Sequence, residues 1–155
     1  MLSTNFKNVI KFIFERVKDK DIKWAFIGSA NMSLQGIDIV PNDLDIITNP
    51  IDLKIFNEQF KRYIVKPISE KPPFKKGYPV FYELKLEIEG VNVHVLGEDD
   101  KDVYFGKVKR GDVVLVKLDN MNIPCLSLES EAKAYSETDR EDKANLIRNY
   151  LSKEN

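Results

Sequence analysis

Two stretches of the sequence decide the fold: FIGSANMSLQG at residues 26–36 and NDLDII at residues 42–47. In the first, a short apolar run ends at Gly28 and Ser29 and passes directly into a helical segment that Gly36 stops. A strand that turns at once into a helix leaves backbone N–H groups unpaired, and the helix dipole there favours an anion. Glycine lets a phosphate approach the backbone closely, and the serine hydroxyl is a further donor. The stretch therefore predicts a phosphate-binding turn at Gly28 and Ser29.

The second stretch carries a pair of carboxylates. Asp43 and Asp45 are two residues apart, so in a strand their side chains project from the same face. Two adjacent carboxylates repel each other unless a cation or a proton lies between them. Mg²⁺ takes oxygen ligands and commonly shares them between carboxylates and substrate phosphates. Together with the turn, the pair predicts metal-assisted phosphoryl or nucleotidyl transfer, with Mg²⁺ (or Mn²⁺) bound by Asp43 and Asp45.

The sequence on either side of these stretches alternates between helical and strand patterns. Apolar residues at helical spacing predict a helix between about Thr4 and Asp21, ahead of a strand at residues 22–27. Beyond the acid pair a helix is predicted from Pro50, because proline suits the first helical turn. Residues 69–79 are rich in proline and lysine and predict a surface loop.

The second half of the chain predicts a strand cluster followed by helices. Residues 80–88 and 91–96 alternate in polarity around a Glu-Gly turn, as a β-hairpin does, and residues 113–118 predict a further strand. Ser127 is suited to be the N-cap of a helix, and a capping box beginning at Thr138 predicts the last one.

This order of elements predicts an α/β (α+β) fold in which a mixed β-sheet is flanked by helices. We see no repeat, no low-complexity tract and no linker that would divide the chain. We therefore expect a single domain over residues 1–155, with its core at about 22–118 and a C-terminal helical part at about 127–151.

Charge and composition argue against several classes of protein. Lys and Arg (24) nearly balance Asp and Glu (25), so no overall field favours nucleic acid or a membrane. Cys125 is the only cysteine, which excludes an internal disulfide and fits a reducing compartment. Polar residues interrupt the apolar N-terminal segment, and no stretch reaches the ~18 apolar residues of a membrane span. We expect a cytoplasmic protein with no membrane association.

The two opening stretches resemble the DNA polymerase β-type nucleotidyltransferase superfamily. Its motif of hydrophobic-Gly-Ser/Gly, a short helix and Asp-hydrophobic-Asp is matched by IGSA at residues 27–30 and DLDI at residues 43–46. IPCLSLE at residues 123–129, followed by Tyr135 and Arg140, resembles the end of several small prokaryotic and archaeal members. Those members include relatives of antibiotic nucleotidyltransferases and of toxin–antitoxin components. The resemblance covers most of the chain and implies a nucleotidyltransferase fold.

The resemblance also implies a role for each matched residue. Asp43 and Asp45 would be catalytic residues that ligate the metal ions, and Gly28 with Ser29 would hold the β- and γ-phosphates of the nucleotide. The expected nucleotide-binding residues are Gly28, Ser29, Asn31 and Arg140.

This sequence departs from the family's pattern at the position of the third carboxylate. It would lie on the strand at residues 91–96, which holds no acid. We place the third catalytic position at His94, with Asn92 as the alternative register. A neutral histidine suits Mn²⁺ or Zn²⁺ better than Mg²⁺, and it can also act as a general base. Glu83 and Glu87 of the preceding strand are expected to face solvent, with Glu87 as a candidate replacement acid.

The sequence thus supports two kinds of function. The first is a metal-dependent nucleotidyltransferase that moves an NMP group from an NTP, expected to be ATP, to an acceptor hydroxyl on a small molecule, a protein or an RNA end. The alternative is a catalytically weak or inactive nucleotide-binding or partner-binding protein on the same fold, such as a toxin–antitoxin component. The near-neutral charge disfavours a nucleic-acid-binding module. A homodimer is expected, because one chain has little room for a separate acceptor-binding domain.

Overall fold

The computed structural model describes residues 2–73, 75–99 and 102–154, which contain a seven-stranded mixed sheet and helices packed on it. The strands are β1 (Ala25–Ile27), β2 (Leu44–Thr48), β3 (Ile64–Lys71), β4 (Phe81–Ile88), β5 (Val91–Glu98), β6 (Val113–Leu118) and β7 (Met121–Leu126). The helices are α1 (Thr4–Val17), α2 (Gly28–Leu34), α3 (Pro50–Gln59), α4 (Phe105–Lys109), α5 (Leu128–Glu137) and α6 (Glu141–Glu154), with a 3₁₀ turn at Lys61–Tyr63. The predicted mixed α/β class is confirmed.

The strands lie in the order β3-β4-β5-β2-β1-β7-β6. The pairs β2·β5 and β1·β7 are parallel, and the remaining pairs are antiparallel. The strands that carry the two opening stretches, β1 and β2, therefore lie inside the sheet. Their neighbours on the two sides are β5 and β7.

The two faces of the sheet are covered differently. On one face, α1 and α3 pack their apolar side chains against residues such as Phe26, Ile46 and Val95, and this forms the main core. On the other face, Ile47 belongs to a smaller cluster that includes Val108 of α4. Because side chains alternate along a strand, a residue two positions from Ile47 in β2 lies on the same face as Ile47. Asp45, two residues before Ile47, is partly exposed on this face.

Three elements were not predicted: β3, α4 and β7. The end of β3 occupies the start of the predicted loop at 69–79, and Phe74 of that loop lies outside the described residues. Proline is tolerated in β3 because this strand is at the edge of the sheet. Strand β7 also contains a proline, Pro124, but its ladder with β1 has only the pair Phe26↔Cys125. The sheet thereby extends past the predicted core boundary at residue 118.

The predicted turn and cap signals had mixed outcomes. The hairpin at Glu89-Gly90 is confirmed, with positive φ angles of 50° and 78°. Ser127 caps α5 by accepting the Ser130 N–H at 3.3 Å. The capping box at Thr138 is wrong, because its hydroxyl donates to the carbonyls of Ala134 and Tyr135 and so ends α5.

Candidate active site

Asp43, Asp45 and His94 form a cluster on the open part of the sheet. Strands β2 and β5 are parallel and in register, so Asp45 pairs directly with His94. His94 Nδ1 lies 3.5 Å from Asp45 Oδ1. One ligand atom from each of the three residues lies within 4.8 Å of the others, and all three side chains are partly exposed. The cluster is therefore open to solvent and small enough to surround one cation.

The pKa values of Asp43 and His94 are both raised, for reasons that differ between the two residues. Partial burial, and then the charge of Asp45, raises the pKa of the Asp43 carboxyl. The hydrogen bond to Asp45 raises the pKa of the His94 imidazole, against the opposing effect of burial. Both shifts show that the site favours added positive charge.

The donor set fits a divalent cation. Two carboxylates are hard oxygen ligands of the kind that Mg²⁺ and Mn²⁺ prefer, whereas the imidazole of His94 favours Mn²⁺ or Zn²⁺. Asn92, the alternative register, lies two residues away from His94 and is exposed. The observed register therefore places His94, and not Asn92, beside Asp45.

Gly28 allows Asp45 to lie close to the backbone of the turn. Its φ is +76°, and a Cβ atom built there would lie 2.8 Å from Asp45 Oδ2. The antiparallel pair Ile27↔Asp45 brings the start of β2 to the end of β1. Glycine is needed here for both reasons, since an L side chain would be strained and would displace the carboxylate.

Part of the predicted phosphate-binding turn is already occupied. The Gly28 N–H donates to Glu131 Oε1 at 2.7 Å, so the prediction that this N–H is unpaired is wrong. A phosphate at the turn would have to be met by Ser29, whose side chain is partly exposed, and by the turn beyond it.

Asn31 is not available to a nucleotide. Its side chain is completely buried, and its amide nitrogen donates to Leu126 O and Glu131 Oε1, both at 2.9 Å. Its amide oxygen accepts from Gln35 Nε2 at 2.8 Å. Asn31 therefore joins α2 to the end of β7 and to α5, which leaves the expected contact of its side chain with a nucleotide unsupported.

Glu131 is a residue of the site that sequence reasoning missed. It is fully buried on α5, and burial raises the pKa of its carboxyl to about 7. The sequence did hold a signal for it. Glu131 lies three residues after Leu128 and four before Tyr135, which places an acid on the buried stripe of the helix.

Arg140 lies in the connection between α5 and α6 and is exposed. Its guanidinium Cζ is 5.6 Å from the centre of the Tyr135 ring, in a cation–π contact. The charges of Arg140 and Asp45 act in opposite directions on the pKa of Tyr135. Arg140 has no direct contact with the acid cluster among the described residues.

The acids of β4 also depart from expectation. Glu83 was expected to face solvent, but it is buried between Lys71 and Lys85, with N···O distances of 3.7 and 3.9 Å. Its charge contributes to the raised pKa of His94, which is paired with Lys85. Glu87, the candidate replacement acid, is exposed opposite Asn92, so it does not complete the cluster.

Comparison with known proteins identifies the family. The family described as aminoglycoside-2''-adenylyltransferase matches residues 9–146, most of the chain. The chain belongs to this family. No protein with a curated description matches the sequence.

Solved structures with the same fold support this family assignment. A protein of Thermotoga maritima described as a candidate nucleotidyltransferase is 25% identical, with a TM-score of 0.78 over 99% of this chain and 96% of that one. The antibiotic-resistance factor ANT(2'')-Ia is 10% identical, with a TM-score of 0.61 over 97% of this chain and 86% of that one. A second structure of ANT(2'')-Ia, in complex with adenylyl-2''-tobramycin, is 9% identical, with a TM-score of 0.55 over 98% and 100% of the two chains. The resemblance to a small nucleotidyltransferase is thereby confirmed.

Within the ranges 2–73, 75–99 and 102–154, no helix has the length and apolar character needed to cross a bilayer.

Proposed function

We propose that this family member is a metal-dependent nucleotidyltransferase that moves an NMP group from an NTP to an acceptor hydroxyl. One observation carries the proposal: the ligand atoms of Asp43, Asp45 and His94 lie within 4.8 Å of one another. Asp45 of this cluster lies against the turn at Gly28, where an L side chain would meet it. A cation site next to a phosphate-accepting turn is what nucleotidyl transfer requires.

The reaction assigns a task to each residue. Asp43 and Asp45 hold the divalent cation, Mg²⁺ or Mn²⁺, with His94 beside them. When bound there, the cation neutralises triphosphate charge and stabilises the attacking and leaving oxygens. Ser29 and the turn that follows Gly28 orient the phosphates, and Arg140 of the connection between α5 and α6 is assigned a further phosphate contact.

The bond changes follow from this arrangement. The acceptor oxygen forms a bond to the α-phosphorus while the bond to the departing pyrophosphate breaks. The proton of the acceptor hydroxyl passes to water at the partly exposed cluster, because His94 is held as a ligand of the cation. Pyrophosphate leaves with the electron pair of the broken P–O bond.

ATP is the proposed donor, because the family is named for adenylyl transfer. The acceptor is a small molecule, a protein side chain or an RNA end, and the family name makes an aminoglycoside hydroxyl the first acceptor to test. Use of ATP fits the cytoplasmic location expected from the sequence. The homodimer also remains a prediction.

A thermal-shift titration tests the proposal. The protein is mixed with each of the four NTPs in the presence of Mg²⁺, Mn²⁺ or EDTA, and the variants Asp45→Asn and Asp19→Asn are measured beside it. A ligand at a hundred times its Kd adds about 2.7 kcal/mol of stability. We expect a metal-dependent shift with ATP that is lost in Asp45→Asn. It should persist in Asp19→Asn, which changes an exposed acid after α1.

Transfer of labelled AMP to acceptors is then measured with the same proteins. Turnover that survived Asp45→Asn would rule out the mechanism. A flat thermal response with every nucleotide would show that the fold persists without a nucleotide site.

The second candidate is a nucleotide- or partner-binding protein that has lost turnover, such as a toxin–antitoxin component. It is favoured by His94, which stands beside Asp45 where the family's third carboxylate is expected. Nucleotide binding without transfer, together with a stable partner recovered by pull-down, would support this candidate. Transfer by the wild-type protein would exclude it.

A further inference from the structure

Glu131 is a buried acid whose hydrogen bonds converge on the turn of the site. Its Oε1 accepts from the Gly28 N–H at 2.7 Å and from Asn31 Nδ2 at 2.9 Å. Its Oε2 is buried and has no hydrogen-bond partner within the described part of the chain. An acid without solvent and with one unpartnered oxygen is costly to keep in a protein interior. Packing of α5 alone would be better served by an apolar side chain.

The position of Glu131 links the C-terminal helix to the reacting groups. Gly28 contacts both groups, because its N–H donates to Glu131 Oε1 and Asp45 Oδ2 fills the space where a Gly28 side chain would lie. The turn is also connected to β7, since Asn31 donates to the Leu126 carbonyl. A substitution at Glu131 would therefore first change the positions of the Gly28 turn and of the Asp45 carboxylate.

We propose that Glu131 is a positioning residue for nucleotidyl transfer, which holds the Gly28 turn so that Ser29 and Asp45 meet the triphosphate and its metal. This inference rests on the proposed function. Glu131 touches neither substrate nor metal itself. It acts through the Gly28 N–H, so its length and its acceptor oxygen matter more than its charge.

The surroundings of Glu131 agree with a role that does not depend on charge. The charge of Asp45 raises the pKa of Glu131, whereas the charge of Lys107 lowers it. The donors Gly28 and Asn31 face its Oε1. A neutral acid accepts both bonds through its carbonyl oxygen. An anion directly behind a turn that receives a triphosphate would repel it.

Three variants separate these properties. Glu131→Gln keeps the length and the acceptor oxygen, whereas Glu131→Asp keeps the acid but shortens the reach by one methylene. Glu129→Asp is the matched control, because Glu129 is an exposed acid on the same helix. Asn31→Ala removes the second donor to Oε1. It replaces Glu131→Asp as the test of the positioning role if Glu131→Asp does not fold.

The measurements are KM for ATP and kcat with saturating Mn²⁺, together with the amide resonance of Gly28 in ¹⁵N-labelled protein. We expect Glu131→Gln to stay within about threefold of wild type, and Glu129→Asp to match it. Glu131→Asp should raise KM at least tenfold and shift the Gly28 amide. Asn31→Ala should act in the same direction with a smaller effect.

Two outcomes would overturn the inference in different ways. If wild type is active and folded Glu131→Asp has the same KM and the same Gly28 resonance, only the positioning role is wrong. If wild type neither binds nor transfers any nucleotide, the proposed function fails and the positioning role fails with it.

Discussion

At Gly28 the backbone has a φ of +76°, and Asp45 Oδ2 occupies the space that a side chain would need. Gly90 has nearly the same φ, +78°, but nothing lies within 4 Å of its Cβ position. The two glycines therefore separate the cost of the backbone conformation from the cost of displacing Asp45.

Gly28→Ala is expected to destroy the cation site as well as to destabilise the fold. Both Gly28→Ala and Gly90→Ala should lose ~1 kcal/mol or more of unfolding free energy from the left-handed conformation. Only Gly28→Ala should also lose Mn²⁺-dependent stabilisation, since its methyl group displaces Asp45. Urea unfolding with and without Mn²⁺ measures both effects. Equal metal responses in the two variants would contradict the close packing of Asp45 on Gly28.

His94 sets the expected metal preference. Wild type should be stabilised more by Mn²⁺ than by Mg²⁺, because imidazole is a better ligand for Mn²⁺. His94→Asp should reverse this order, since three carboxylates offer only hard oxygen ligands. The thermal shift in each metal, with Asn92→Asp as the control on the same strand, measures the preference. An unchanged order in His94→Asp would mean that His94 does not bind the metal.

At the scale of elements, the connection between β3 and β4 is attached to the end of α5. The Tyr78 hydroxyl donates to the Glu137 carbonyl, and Lys75 Nζ lies 3.4 Å from Asp139 Oδ2. Strands β5 and β2, which carry His94 and Asp45, lie between β4 and β1 in the sheet. Tyr78 and Lys75 therefore join this connection to the end of α5.

Tyr78→Phe is expected to loosen this connection. A net hydrogen bond contributes ~1 kcal/mol, so opening should become about fivefold more frequent. Trypsin cleavage after Lys75 and Lys76 should accelerate by a similar factor, and bound ATP should slow it in wild type. Tyr82→Phe, on β4 itself, is the control variant. Equal cleavage rates in the two variants would show that the Tyr78 hydroxyl does not hold the connection.

At the scale of the whole molecule, Glu131 makes stability depend on pH. Burial raises its pKa to about 7 from an ordinary value of 4.5, and Asp45 adds to the rise while Asn31, Gly28 and Lys107 oppose it. The folded protein therefore binds this proton more tightly than the unfolded chain does. Its contribution to stability is fully present below about pH 4.5 and is lost as the pH rises towards 7.

Glu131→Gln is expected to remove this dependence. Between pH 5 and pH 8 wild type should lose up to roughly 3 kcal/mol relative to the glutamine variant. Urea unfolding of both proteins at the two pH values measures the difference, and Glu129→Gln controls for an exposed acid on the same helix. Parallel pH profiles of wild type and Glu131→Gln would mean that Glu131 titrates near its ordinary value.

The sequence by itself predicted the mixed α/β class and the carboxylate pair of Asp43 and Asp45 from local spacing. The position of His94 beside them was predicted from the resemblance to a known family, because it depends on the pairing of two distant strands. Asp45 is the second residue of β2 and Asp43 stands just before the strand, and their ligand atoms lie close together as the two-residue spacing predicted. A hairpin at Glu89-Gly90 follows from alternating polarity on both sides of a turn that contains glycine.

Only the tertiary structure decided how the turn at Gly28 is used. The partner of its N–H, Glu131, comes from a helix about a hundred residues later, and Asn31 is enclosed by β7 and α5. Edge strand β3 and strand β7 contain prolines that local propensity counts against strands, and pairing with neighbours overrides that propensity. Contacts between distant segments are set by packing and register, which no local pattern encodes.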